Sequence, residues 1–194
     1  MEQLRMICKM KQIPPFEIED GYTIRMYTPG DEVVWTEISQ NGLLEEGEGI
    51  ECWDKYMLSI KELVPERDVF FVVDNEGNAV ATCTAFVQEN GVGLMHMLAA
   101  KPEARGHRLG WAMTTYTLNK LAPELPTDNP MVRLKSDDWR LPALSSYLKA
   151  GFQPVLFDVD MDKRWQDICD KLNIHNVEML DDDGNHTGLI INRI

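Results

Sequence analysis

KPEARGHRLGWAM, residues 101–113, enters with a helix-breaking proline and ends where a helix can begin. Upstream, VGLMHMLAA (92–100) is an apolar run of strand length. Downstream, Trp111, Met113, Leu118 and Leu121 have the spacing of an amphipathic helix over 110–122. The stretch is therefore a strand-to-helix turn. A helix N-terminus presents unpaired N–H groups and partial positive charge, and glycine just ahead of it lets a ligand approach the backbone. RGHRLG (105–110) thus has the chemistry of a phosphate cradle, to which Arg105, His107 and Arg108 add positive charge. Between residues 90 and 122 the only acid is Glu103, against Lys101, Arg105, Arg108 and Lys120. An ordinary turn with solvated arginines fits the same residues. No GK[ST] follows with Walker spacing, and no GxGxxG is present.

Working outward, YTIRM (22–26) reads as a strand closed by the turn TPGD (28–31). Residues 32–44 read as a helix with Asp31 as N-cap. After the acidic linker EEGEGIE (45–51), a second helix is predicted over 52–63, ahead of Pro65. VFFVV (69–73) and AVATCTAFV (79–87) are strands joined by the hairpin turn DNEGN (74–78). Beyond the central helix, MVRLKS (131–136) is a strand and 141–150 a helix, with Gly151 placed as a C-cap. Residues 152–157 are extended. The tail holds a helix over 163–172 and two short extended pieces around DDDGN (181–185). The order β-αα-βββ-α-β-α-β predicts an α/β (α+β) fold in which helices cover a mixed sheet. It divides the chain into an N-terminal extension (1–20), a domain (21–158) and a C-terminal helix-and-hairpin extension (159–194).

The 194 residues are 44% apolar and 26% charged, a balance that builds a soluble core. No apolar run reaches the roughly 18–20 residues that span a bilayer, and the first 20 residues lack a signal-like apolar stretch. The expectation is a cytoplasmic protein with no membrane partner. With 32 acidic and 19 basic residues the net charge is −13, a field that repels nucleic acid and leaves room for a cationic partner. Cys8, Cys52, Cys83 and Cys169 are scattered and read as buried free thiols. No Cys/His cluster has zinc spacing, so no metal is expected. Asp181, Asp183 and Asn185 imitate the start of a calcium loop, but the twelfth position is Asn192 rather than a glutamate, which leaves a polar hairpin turn. Met95 and Met97 read as core and pocket lining.

LAAKPEARGHRLG (98–110) resembles the acyl-coenzyme A signature of the GNAT superfamily of N-acetyltransferases, in which a strand is followed by Pro and then (Gln/Arg)-x-x-Gly-x-(Gly/Ala). Leu98, Ala100, Pro102, Arg105 and Gly110 match in place. Further on, LPALSSYLKAGFQPV is similar to the Ala-x-x-x-Tyr-x-x-x-Gly-Phe element of the family, through Ala143, Tyr147, Gly151 and Phe152. Two departures stand out. The central glycine of the signature is Arg108 here, and an asparagine often found before Ala143 is Arg140.

The resemblance implies a mostly antiparallel central sheet, acetyl-CoA as cosubstrate, and direct attack of an amine on the thioester without a cysteine nucleophile. It places the cosubstrate against the backbone of Leu98, Ala99 and Ala100, the loop Arg105, Gly106, His107, Arg108, Leu109 and Gly110, and Arg140. It makes Tyr147 the general acid for the departing thiolate. His96, two residues before Leu98 and so expected on the same strand face, is a candidate base, with Glu45, Glu46 and Glu48 as rivals. The acceptor is a small-molecule or peptide amine, with the acidic loop pointing to a cationic one. The tail is long enough to pack across a homodimer. A non-catalytic acyl-CoA-binding or sensing module is the alternative reading of the same motifs.

Overall fold

Residues 2–192 are described by a computed structural model. In chain order the elements are β1 (Leu4–Lys9), β2 (Thr23–Met26), α1 (Glu32–Ser39), α2 (Glu51–Trp53), α3 (Pro65–Asp68), β3 (Val69–Val73), β4 (Ala79–Val87) and β5 (Gly93–Ala100). Then follow α4 (Leu109–Leu121), β6 (Met131–Ser136), α5 (Leu141–Lys149), β7 (Phe152–Pro154), α6 (Met161–Leu172), β8 (Val177–Leu180) and β9 (His186–Ile191). Two units are distinguished. One is Pro15–Leu125, and the other comprises the described residues of Met1–Pro14 and Pro126–Ile194.

In the unit Pro15–Leu125, strands β2, β3, β4 and β5 lie side by side, each antiparallel to the next. Nearly every residue of β3 and β4 is buried, because α1 and α4 both pack on β4. Such double-sided cover explains why these strands read as largely apolar runs, broken in β4 by the buried Thr82 and Thr84. Trp35 and Ile38 of α1 gather Phe71, Phe86 and Ala99 into one cluster. Cys83 instead faces α4, with its sulfur 3.8 Å from the Thr117 hydroxyl. The fully buried Asp68 accepts a hydrogen bond from the Val64 N–H at 2.8 Å and lies 3.7 Å from Lys120 Nζ. A buried carboxylate needs such partners, and this one ties α4 to the start of β3.

Three local expectations are corrected here. Asp31 does not cap α1 through its side chain. Its carboxylate is taken by Arg25, in two hydrogen bonds of 2.6 and 2.8 Å, and by the Thr28 N–H at 2.7 Å. The helix predicted to reach residue 44 stops at Ser39. The second helix is a single turn, Glu51–Trp53, that widens into a π-helical turn, Asp54–Leu58. The DNEGN turn forms as predicted. Asp74 accepts the N–H groups of Glu76 and Asn78, and Gly77 supplies φ 86°.

In the other unit β1 is the middle strand, antiparallel to β6 on one side and β7 on the other. It lies within the stretch that the sequence reads as an extension. α5 packs on β7, α6 on β9, and β8 and β9 form the hairpin around residues 181–185. There Asp181 accepts the N–H groups of Asp183 and Asn185, repeating the DNEGN geometry. Gly151 follows α5 at φ 98° and its N–H bonds to the Leu148 carbonyl, so the expected C-terminal glycine stop is present. With antiparallel strands and covering helices in both units, the chain is a mixed α/β fold, as expected.

Candidate active site

β5 carries a bulge. Its register against β4 pairs His96 with Thr84 and Ala99 with Thr82, so Met97 and Leu98 together lie opposite Cys83. Met97 takes φ 53° to make this possible. A bulge disrupts the ladder locally and leaves its extra residue without a cross-strand partner. It also shifts the side-chain alternation by one. His96 therefore shares a face with Ala99, not with Leu98 as strict alternation predicts. No glycine marks the spot, so the sequence gives no warning of it.

His96 is half-buried and donates a hydrogen bond from Nε2–H to the Tyr56 carbonyl at 3.2 Å. A carbonyl can only accept, so the neutral ring keeps its lone pair on Nδ1. Burial lowers the His96 pKa below its ordinary value of 6.5, which favours that neutral form at physiological pH. Tyr56 sits in the π-helical turn, and its hydroxyl bonds to Glu48 at 3.2 Å. Glu48 is also held by Lys55 at 2.8 Å and by the Glu45 N–H at 2.9 Å. These contacts, that of Lys55 foremost, pull its carboxyl down to about 2. An acid held so firmly ionised is a poor proton acceptor. Glu45 and Glu46 are exposed.

After β5, a 3₁₀ turn (Pro102–Ala104) leads into the loop. Gly106 has φ 92° and Arg108 φ 53°. Arg108 thus adopts, where the resembled signature has glycine, a left-handed conformation that costs an L-residue roughly 1 kcal/mol. The departure adds a charge at a position that a residue without a side chain would occupy at less cost. Leu109 is buried, anchoring the first turn of α4, while Arg105, Gly106 and Arg108 are exposed and Gly110 is half-exposed. A side chain at Gly106 or Gly110 would meet nothing within 4 Å, so the backbone there is open to a ligand. Lys101 leans away, paired with Glu37 of α1 at 2.6 Å.

The loop is less basic in space than in sequence. Glu17, Ile18 and Glu19 come beside it, and with His107, Arg108, Trp111 and Ala112 they line a pocket of about 220 Å³. Glu19 accepts a hydrogen bond from His107 Nδ1 at 2.9 Å. A carboxylate of the chain itself thus already engages a side chain of the loop.

Tyr147 and Arg140 belong to the other unit. Tyr147 is on α5, 7% exposed, with its ring edge-on to Phe152 at 5.9 Å. Arg140, just before α5, bonds to Asp137 at 2.8 Å and lies 4.5 Å over the Trp139 ring. The cysteines are all free and buried, and burial pushes the thiols of Cys8 and Cys83 up to about 12. Such thiols are not nucleophiles. Among the described residues no His/Cys/Asp/Glu group could hold a metal ion, and no helix is long and apolar enough to cross a membrane. Tyr56, Glu17 and Glu19 were not singled out by sequence, since none lies in a recognisable spacing.

Residues 35–152 match the Acetyltransferase (GNAT) family. Mycothiol acetyltransferase of Thermomonospora curvata is 26% identical over 168 residues, covering 82% of this chain and 55% of that protein. Mycothiol acetyltransferase of Streptomyces avermitilis is 28% identical over 141 residues, covering 70% of this chain and 44% of its own. The chain therefore spans about half the length of these relatives. Among solved structures, a GCN5-related N-acetyltransferase from Sphaerobacter thermophilus superposes with a TM-score of 0.60 at 21% identity, over 78% of this chain and 48% of that one. That is a likeness of fold. The family match covers more than half of the residues and includes the bulged strand and the loop just described, so the chain belongs to the acetyltransferase (GNAT) family.

Proposed function

We propose that the protein is an acetyl-CoA-dependent N-acetyltransferase that moves an acetyl group directly to a primary amine. The observation that carries this reading is the open glycine loop at the entrance to α4, following a strand bulged at Met97. Acetyl-CoA, when bound, supplies an activated acetyl thioester. The loop Arg105, Gly106, His107, Arg108, Leu109 and Gly110 is assigned to the pyrophosphate, which its backbone donors and helix dipole suit. Backbone groups of Leu98, Ala99 and Ala100 are assigned to orienting the thioester arm and polarising its carbonyl.

His96 takes the proton of the incoming amine on Nδ1. Tyr147 gives its phenolic proton to the departing sulfur, the role that the family resemblance assigns to its position. Arg140, engaged with Asp137, is the weakest of the cofactor assignments. The anionic Glu48, joined to the Tyr56 residue that holds His96, supports a cationic acceptor. The relatives are named mycothiol acetyltransferase, and amines chemically related to mycothiol are the first acceptors to try.

Substitution at Gly110 tests the cofactor assignment. This glycine has no positive-φ requirement and faces open space, so Gly110→Ala should fold normally and gain up to about 1 kcal/mol of helix stability. Gly110→Val should bind coenzyme A at least about tenfold more weakly, equivalent to ~1.4 kcal/mol. Asn119→Val, on the exposed side of the same helix, is the control. Lys120 is unsuitable for that purpose because it is anchored by Asp68. Calorimetric titration giving equal affinities for the Gly110 and Asn119 variants would remove the pyrophosphate from this loop.

A further inference from the structure

The segment that brings Glu19 to the loop has its own logic. Residues 15–19 form no regular secondary structure, and the segment starts at Pro15 and runs into the turn at Gly21, whose φ is 95°. It lies along α4. Phe16 sits edge-on to Tyr116 with ring centroids 5.2 Å apart, Glu19 bonds to His107, and Tyr22 packs 5.1 Å from the His107 ring. The hold is light. The Phe16 side chain is partly exposed, and the His107–Glu19 pair is 40% and 47% exposed, a degree at which ion pairs contribute little. Segments with few backbone hydrogen bonds and few buried contacts open at low cost.

The electrostatics run against an anionic ligand. Two carboxylates, Glu17 and Glu19, line the pocket beside His107 and Arg108, so the positive charge of the loop is already answered from within the chain. A phosphate approaching this loop meets those carboxylates as like charges. We infer that Glu19 is an internal anion that occupies the phosphate loop through His107 and sets cosubstrate affinity by competing with the phosphates of coenzyme A. The segment is then a strap that must move aside as the cosubstrate enters. This rests on the reading of the loop as the pyrophosphate site.

The opposite possibility, that Glu19 orients His107 for the phosphate, predicts the reverse sign. Glu19→Gln keeps the shape of the side chain and removes its charge. By calorimetry with coenzyme A at low ionic strength, the variant should bind about three- to tenfold more tightly than wild type, and the gain should shrink in high salt. Glu103→Gln removes the same charge from an exposed position in the turn before the loop and should change affinity less than about twofold. Hydrogen exchange adds an independent readout, because the Tyr22 amide, bonded to the Glu19 carbonyl at 3.2 Å, should exchange faster when coenzyme A is bound to the wild-type protein. Weaker or unchanged binding by Glu19→Gln, a gain matched by Glu103→Gln, or slower exchange of the Tyr22 amide would overturn the inference and leave the pyrophosphate assignment standing. Failure of the wild-type protein to bind coenzyme A would overturn both.

Discussion

Tyr147→Phe is expected to lower kcat by about 10²–10⁴-fold, the usual contribution of a general acid, while coenzyme A affinity and stability stay near wild type. The substitution deletes one hydroxyl. The ring keeps its edge-on contact with Phe152 and its buried place on α5, so the packing that positions the helix survives. Loss of an interaction made only in the transition state should appear in kcat and in kcat/KM alike, with KM little moved. Steady-state kinetics with acetyl-CoA and an active amine, beside a thermal melt, separates the two effects. Full kcat in the variant would make the hydroxyl structural and leave protonation of the departing sulfur to water.

His96→Gln is expected to lower kcat/KM by about 10²-fold or more near neutral pH and to reshape the pH profile. The sign follows from burial. Desolvation disfavours the imidazolium, so the proton-accepting form persists to lower pH than in a solvated histidine. The acid limb of wild-type kcat/KM should therefore have its midpoint below 6.5, with activity lost as pH falls through it. Glutamine can donate to the Tyr56 carbonyl but accepts no proton, so that limb should vanish. What remains should rise with the acceptor amine's own deprotonation, and the deficit should narrow at alkaline pH. Rate measurements across the pH range check this. An unchanged profile would turn attention to the acidic loop or to water.

The parts of the molecule that were legible are those governed by local chemistry. DNEGN and DDDGN were readable because the same device builds both, an aspartate accepting two backbone N–H groups ahead of a glycine at positive φ. β3 and β4 were readable because cover on both faces demands a largely apolar sequence. β1 escaped notice for the converse reason. As a middle strand it should also read as apolar, but Arg5 and Lys9 interrupt it, and Arg5 escapes burial by reaching Glu2, Asp182 and the Phe157 ring.

The candidate site divides in the same way. The loop could be placed from its glycines and its proline, and its conformation at Arg108 explains why glycine is usual there. The bulge at Met97 could not, since methionine has no preference for positive φ and only pairing with β4 imposes it. The Tyr56 carbonyl reaches His96 from 40 residues away, and Glu19 reaches His107 from 88. Contacts of that span depend on tertiary placement and leave no periodic trace in sequence.

The central claim, amine-dependent acetyl transfer, is tested most directly by following thiol release from acetyl-CoA alongside mass spectrometry of a panel of primary amines that includes cationic and mycothiol-related ones. The account predicts thiol release only when an accepted amine is present, with one acetylated amine formed for each thiol freed. Saturable coenzyme A binding with no amine-dependent thiol release across the panel would contradict it.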